Sequence, residues 1–404
     1  MDLPLEGLSV VEGSAFVAAP SGGMTLAQLG AEVIRFDQIG GGLDYRRWPL
    51  LSSTDVSLYW NGLNRGKQSI EVDLTDPEIQ DLLSELIAKT RNFLTNFPSK
   101  GWLAYDKLEE RCADLVMVAI TGNHDGSTAL DYTVNCAVGY PEITGYPDDD
   151  RPINHSLPAW DLICGQTAAL GILAADRYRS QSGKGKFVSL ALADVAFAAV
   201  AWLGQLAEIE VNGDVREKLG NDVYGAYGKD FCTADNRRVM VVAITKRQWE
   251  GLLDATGTVE TVAKLAGELS LDFSEQGSRF KARDLLSDLF VPWFQQRTLA
   301  QIAEELDDHG VCWGPYQNFK QMFEEDSRCS INNPLFAEVD QPGVGRHLAP
   351  GSPLSFGGAN VVDRGAQVAP RLGEHTETVL MNKLGLTSKE VGSLVDRGVV
   401  ALGA

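Results

Sequence analysis

Two short apolar segments, residues 8–12 and 32–37, flank an alanine- and leucine-rich stretch, Ser21 to Leu29. Short apolar runs bounded by turn residues read as buried strands, and the stretch between them as a helix. Parallel strands joined this way need a right-handed crossover, so the chain opens as an α/β domain. The alternation continues with an amphipathic helix over Ile79–Lys89 behind Asp76-Pro77, a strand end at Phe93–Asn96 and an apolar strand at Leu115–Thr121. Residues 162–210 read as a mostly helical block. Its stretch Phe187–Ala207 is almost continuously apolar but carries Asp194 and Gln205. A charge near the middle of a membrane span is costly, so the pattern predicts a helix buried between domains or subunits. From about Gly213 a hairpin, Asp230–Thr233 with Arg237–Ile244, opens a smaller α/β unit with helices at Gln248–Thr256, Phe280–Trp293 and Leu299–His309. The tail from about Pro334 is turn-rich and strand-like and ends in helical patterns at Thr376–Leu384 and Ser388–Asp396.

With 404 residues, 44% hydrophobic and 22% charged, the chain is long enough for two domains with full cores. A net charge of −20 and a pI near 4.7 argue against nucleic acid or an anionic membrane as partner, and a polyanionic ligand would need local cations. The six cysteines lie far apart with no C-x-x-C, so they read as reduced thiols and no metal site is expected. Asp2 and Glu6 occupy positions where a signal peptide needs basic and apolar residues, so a cytoplasmic location is expected. Asp37 ends the second strand where a dinucleotide-binding protein places its ribose-binding acid. Glu12-Gly13-Ser14-Ala15-Phe16-Val17-Ala18, however, does not fit the G-x-G-x-x-G turn that would accompany it. No G-x-S-x-G, H-E-x-x-H or P-loop pattern is present either. The segment with most to say about chemistry is His155-Ser156-Leu157-Pro158-Ala159-Trp160-Asp161, which leads into an apolar helix from Leu162. Asp161 reads as its N-cap, with Pro158 just outside. Such an aspartate either caps only, or offers an ionised carboxylate beside backbone N–H groups.

Pro4-Leu5-Glu6-Gly7-Leu8, Leu29-Gly30-Ala31-Glu32-Val33, Asn64-Arg65-Gly66-Lys67, Asn96-Phe97, Asp161, Ser182-Gly183-Lys184-Gly185, Pro353-Leu354-Ser355-Phe356 and Pro370-Arg371-Leu372-Gly373-Glu374-His375 follow one another along the chain. This ordered series resembles the class III CoA-transferases. The resemblance implies a large doubly wound, Rossmann-like α/β domain built from both chain ends, with a smaller α/β domain inserted. Residues 1–212 would form the N-terminal part of the large domain, 213–333 the linker and small domain, and 334–404 the return. It further implies an interlocked homodimer, an acyl-CoA substrate, and no cofactor or metal beyond the CoA thioester.

In that family Asp161 matches the nucleophile, which would form an aspartyl anhydride and then an aspartyl-CoA thioester. Ala15, Phe16, Val17, Asn96 and Phe97 match its CoA-binding positions, the first three through their backbone. Gly225 and Gly228 in Tyr224-Gly225-Ala226-Tyr227-Gly228 are the oxyanion candidates. This segment is shorter and bulkier than the glycine run of the formyl-CoA transferases, which would favour retention of a bound acid. Arg46, Arg47, Lys67 and His155 are candidates for CoA phosphates or for a free substrate carboxylate. The segments Val11–Pro20, Gly40–Tyr45 and Asn154–Asp161 resemble the branch that moves CoA from C1 to C4 of mesaconate within one molecule. An intermolecular transferase using succinyl-CoA or a similar donor needs the same nucleophile and stays open. An α-methylacyl-CoA racemase is disfavoured, because its His-Asp signature is replaced by Leu130-Asp131-Tyr132.

Overall fold

The computed structural model describes residues 3–356 and 366–403. The chain divides into two compact units: residues 1–138, 155–212 and 327–404 form a large one, and 139–154 with 213–326 a small one. Residues 139–154 thus join the small unit, and the return to the large unit comes at 327, not 334. Contacts distant in sequence explain the first difference. Lys218 Nζ donates to the Asp149 carbonyl at 2.7 Å, and Gly220 N–H donates to the Gly145 carbonyl at 2.9 Å.

The large unit is organised by strands β1 (Ser9–Gly13), β2 (Glu32–Gln38), β3 (Gln68–Val72), β4 (Asn92–Thr95), β5 (Val116–Thr121) and β6 (Lys186–Ala191). The C-terminal β12 (Val400–Ala401) pairs antiparallel with β3, and the full order is β12-β3-β2-β1-β4-β5-β6. The six long strands run parallel. Their inner members are buried on both faces, so they read as continuous apolar runs and not as alternation. Val11, Ile34, Phe36, Ile70 and Phe93 form the centre of one core layer, under the helix Pro77–Thr90. The order 3-2-1-4-5-6 reverses direction between β1 and β4. In open parallel sheets this switch point leaves a crevice beyond the carboxyl ends of the strands.

The apolar stretch Phe187–Ala207 is not one buried helix. Its first residues form β6, which pairs with β5 through Ala191, and the helix Leu192–Trp202 then leaves the sheet edge. Asp194 lies in that helix's first turn, where a carboxylate is favourable. Phe197, Trp202, Leu203, Leu206 and Ile209 are exposed. Among the described residues no single helix is long and apolar enough to cross a membrane; Leu192–Trp202 and Gln205–Asn212 pass together but are bent by 66°.

The small unit carries the antiparallel sheet of β7 (Tyr227–Cys232), β8 (Arg238–Ala243) and β9 (Cys312–Pro315). Its core holds Tyr227, Phe231, Trp249, Phe290 and Phe294. Tyr227 is therefore a core residue and not loop bulk: its hydroxyl lies 3.0 Å from Ser287 Oγ and its ring packs on Trp249 and Phe290. A second hairpin, β10 (Phe336–Gln341) with β11 (Gly345–Pro350), belongs to the large unit.

Candidate active site

The crevice at the switch point is walled by the segments that follow β1 and β4. Asn96 ties them together: Ala15 N–H donates to its Oδ1 at 2.9 Å, and its Nδ2 donates to the Ala15 carbonyl at 2.7 Å. Phe16 adopts a left-handed φ of 65°, unusual for an aromatic residue, and its N–H donates to Asp44 Oδ2 at 3.0 Å. Phe97 packs against Phe36 at 6.0 Å between ring centroids and against the core below. The helix Ala18–Gln28 meets the helix Ala159–Ser182 backbone to backbone. A Cβ on Gly22 would lie 2.8 Å from the Gly165 carbonyl, and one on Gly165 would lie 2.0 Å from Ser21 Oγ. This close approach brings the start of the second helix to the loop, so that Phe16, Val17, Asn96, Phe97 and Asp161 line one cavity of about 530 Å3.

Asp161 is not the N-cap. Pro158 takes that position without a side-chain cap, and Asp161 sits three residues inside the helix. Its N–H is satisfied by another helix, Asp131–Ala137: Asp131 Oδ2 accepts it at 3.0 Å. From the same helix Asn135 Oδ1 accepts the Trp160 indole N–H at 3.0 Å. Freed from capping, the Asp161 carboxylate has no hydrogen-bond partner among the described residues. Burial pushes its pKa up to about 7, the nearby charge of Asp131 adds to the rise, and Arg47 opposes it.

Arg47 is the expected cation that reaches this centre. Its guanidinium carbon lies 5.6 Å from the Phe16 ring and 5.4 Å from the Tyr59 ring. Burial raises the Tyr59 phenol to about 12, Arg47 opposing and Asp161 adding. Arg46 is exposed and acts instead on Tyr45. Lys67 is buried beneath the loop and does not line the cavity. Its Nζ donates to Glu12 Oε1 and Asn64 Oδ1 at 2.8 Å and to the Pro20 carbonyl at 2.9 Å. Burial lowers its pKa to about 8, although Glu12 holds it up. The contact with phosphate or carboxylate expected of Lys67 gives way to this internal pairing. His155 packs 6.4 Å from the Trp160 ring, both its nitrogens enclosed and unpartnered, and it does not line the cavity.

Gly225 and Gly228 belong to the small unit. Gly225 turns the chain with a φ of 75°. Gly228 lies in β7, its carbonyl accepting Val223 N–H, and a Cβ there would come 2.5 Å from Val223 Cγ2. That close packing accounts for Gly228 without an oxyanion role.

Below the loop lies a charged cluster around Arg35, of which the sequence analysis singled out Asp37 alone, and for another role. Arg35 Nε and Nη2 each donate to Asp37 at 2.8 Å, Nη2 also to Asp44 Oδ1 at 3.1 Å, and Nη1 to Asn64 Oδ1 at 3.1 Å. Burial works against its charge, but Asp37, Asp44 and Glu12 outweigh it and raise the Arg35 pKa. Asp44 joins this cluster to the Phe16 N–H, so the cluster sets the loop. The signal available was Asp37, a charged residue closing the apolar segment 32–37 and lying within β2. Asp131 stands in Leu130-Asp131-Tyr132, and no local pattern there links it to Asp161.

Among the described residues, a doubly wound sheet, paired loops at its switch point and a carboxylate without a hydrogen-bond partner meet at one cavity. The chain belongs to CoA-transferase family III, whose family model matches residues 5–376. It is 50% identical over 401 residues, 98% of each chain, to the 2-methylfumaryl-CoA isomerase of Chloroflexus aurantiacus. It is 27% identical, again over 98% of each, to the succinyl-CoA–D-citramalate CoA-transferase of the same organism. Among solved structures it resembles a CAIB/BAIF family protein from Brucella suis, with a TM-score of 0.75, 24% identity, and 94% of this chain and 99% of that one covered. A Mycobacterium tuberculosis structure gives a TM-score of 0.76 at 24% identity, covering 93% and 98%.

Proposed function

We propose that this enzyme moves CoA between the two carboxyl groups of one diacid, converting mesaconyl-C1-CoA (2-methylfumaryl-CoA) to mesaconyl-C4-CoA. The observation that carries this reading is the Asp161 carboxylate, unpartnered on the wall of the cavity formed by Phe16, Asn96 and Phe97. The half-identical relative named as a 2-methylfumaryl-CoA isomerase supplies the substrate class.

An Asp161 oxygen attacks the C1 thioester carbon; the C–S bond breaks and CoA leaves as thiolate. The thiolate then attacks the Asp161 carbonyl of the mixed anhydride, which gives an aspartyl-CoA thioester and mesaconate. The diacid turns, and its C4 carboxylate attacks the Asp161 carbonyl, again releasing thiolate. Attack of that thiolate on the C4 carbonyl of the new anhydride yields the product and restores Asp161. Thioester is exchanged for thioester, so the overall reaction is nearly balanced in free energy, with the two anhydrides as its high points. The helix N-terminus favours negative charge at Asp161. Arg47 receives the carboxylate not engaged with Asp161, and its seat between two rings limits the positions that carboxylate can take. The Phe16 and Asn96 segments hold the CoA.

A homodimer goes with this reading. Phe197, Trp202, Leu203, Leu206 and Ile209 are exposed on one run of helices, and a second copy of the chain would cover them.

The test supplies mesaconyl-C1-CoA with an excess of isotopically labelled free mesaconate. The C4 isomer is expected to form without any added acceptor, and label to enter it more slowly than isomerisation proceeds. Label uptake that matches turnover would make the enzyme an intermolecular transferase.

A further inference from the structure

Asp131 is 3% exposed. One of its oxygens accepts the N–H of the proposed nucleophile, and the other, Oδ1, has no partner. A buried carboxylate oxygen left unpaired is costly. Two charged groups act on Asp161, Asp131 from the helix Asp131–Ala137 and Arg47 from the segment after Asp44, and Asp161 in turn raises Tyr59 from the helix Leu58–Leu63 and Cys164 one turn along its own helix. Of these Asp131 alone is a second carboxylate.

We infer that Asp131 is a positioning residue of this site: one oxygen fixes the Asp161 backbone, and the carboxylate confronts Asp161 with a like charge that its acylated states do not feel. The inference rests on the proposed role of Asp161. When Asp161 attacks a thioester, a bond forms to the carbonyl carbon, the C–S bond breaks and its electron pair leaves on sulfur. The negative charge thereby passes from Asp161 to CoA, and no proton, oxidant or reductant takes part. Repulsion from Asp131 is relieved in the anhydride and in the aspartyl thioester. The free carboxylate is thus the raised state of the cycle, and a more basic carboxylate is the better nucleophile. The hydrogen bond from Asp161 N–H keeps Asp131 from moving away.

Asp131→Asn keeps an oxygen for the Asp161 N–H and removes the charge. Its pH profile of kcat/KM reports the free enzyme. The acid limb, near pH 7 in the wild type, is expected about one pH unit lower in the variant, with the plateau of kcat reduced about tenfold, while thermal unfolding is little changed. Asp131→Ser, an uncharged acceptor, is expected to shift the limb the same way and serves if the asparagine variant does not fold. A folded variant with the wild-type limb and plateau would overturn the inference. Labelling of Asp161 by a water-soluble carbodiimide, which reacts with the protonated acid, reads the same titration without substrate. Its midpoint is expected to fall by about one pH unit in Asp131→Asn. An active Asp161→Ala enzyme would defeat the proposed function itself. An inactive one beside an unshifted Asp131→Asn defeats only the role of Asp131.

Discussion

Arg35, fully buried, and Asp161, half-buried on a cavity wall, are both ionisable side chains of the large unit, and their partners differ. Around Arg35 each guanidinium nitrogen is matched: Asp37, Asp44 and Asn64 accept from it, and Lys67 balances Glu12 alongside. Around Asp161 the charges that act on it are another carboxylate and an exposed arginine, and among the described residues no donor meets its oxygens. The first arrangement stabilises its ions and fixes the backbone of the Phe16 loop. The second leaves a carboxylate high in free energy where an acyl group can relieve it. Burial acts against charge in both places, and pairing is what makes one group scaffold and leaves the other available as reagent.

Removing the cation from each group tests the contrast. Arg35→Met would leave Asp37 and Asp44 buried without their partner and is expected to cost about 3–5 kcal/mol of stability, read by denaturant unfolding. A loss under about 1 kcal/mol would show that the cluster is not held by pairing. Arg47→Gln is expected to leave stability within about 0.5 kcal/mol, because Arg47 is exposed. Its effect should fall on activity: KM for the CoA diacid rises roughly tenfold, the worth of one charge-assisted hydrogen bond. Because Arg47 lowers the pKa of Asp161, its loss also moves the acid limb of kcat/KM to higher pH, opposite to Asp131→Asn. A limb that stays in place would remove Arg47 from the nucleophile's surroundings.

The same contrast explains what the sequence disclosed. Strands such as β2 and β5 were legible because both faces are buried, leaving unbroken apolar runs. Asp161 and the Ala15–Val17 and Asn96–Phe97 segments were legible because each is a short local pattern, and the fold brings them to one cavity. Pairings across long separations were not. Asp161 looked like a cap because nothing local shows that Asp131, 30 residues earlier, accepts its N–H. Lys67 looked like a free cation, since its partner Glu12 lies 55 residues away. Tyr227 looked like loop bulk because its partner Ser287 is 60 residues on. The apolar run from Phe187 hid a change from strand to helix at Ala191, because composition does not change there.

The most direct test of the central claim is peptide mass spectrometry on enzyme quenched in acid during turnover of mesaconyl-C1-CoA. The peptide containing Asp161 is expected to carry one CoA as a thioester, which hydroxylamine converts to a hydroxamate. Asp161→Ala is expected to carry none while remaining folded and inactive. CoA on a different peptide, or sustained turnover by folded Asp161→Ala, would contradict the account.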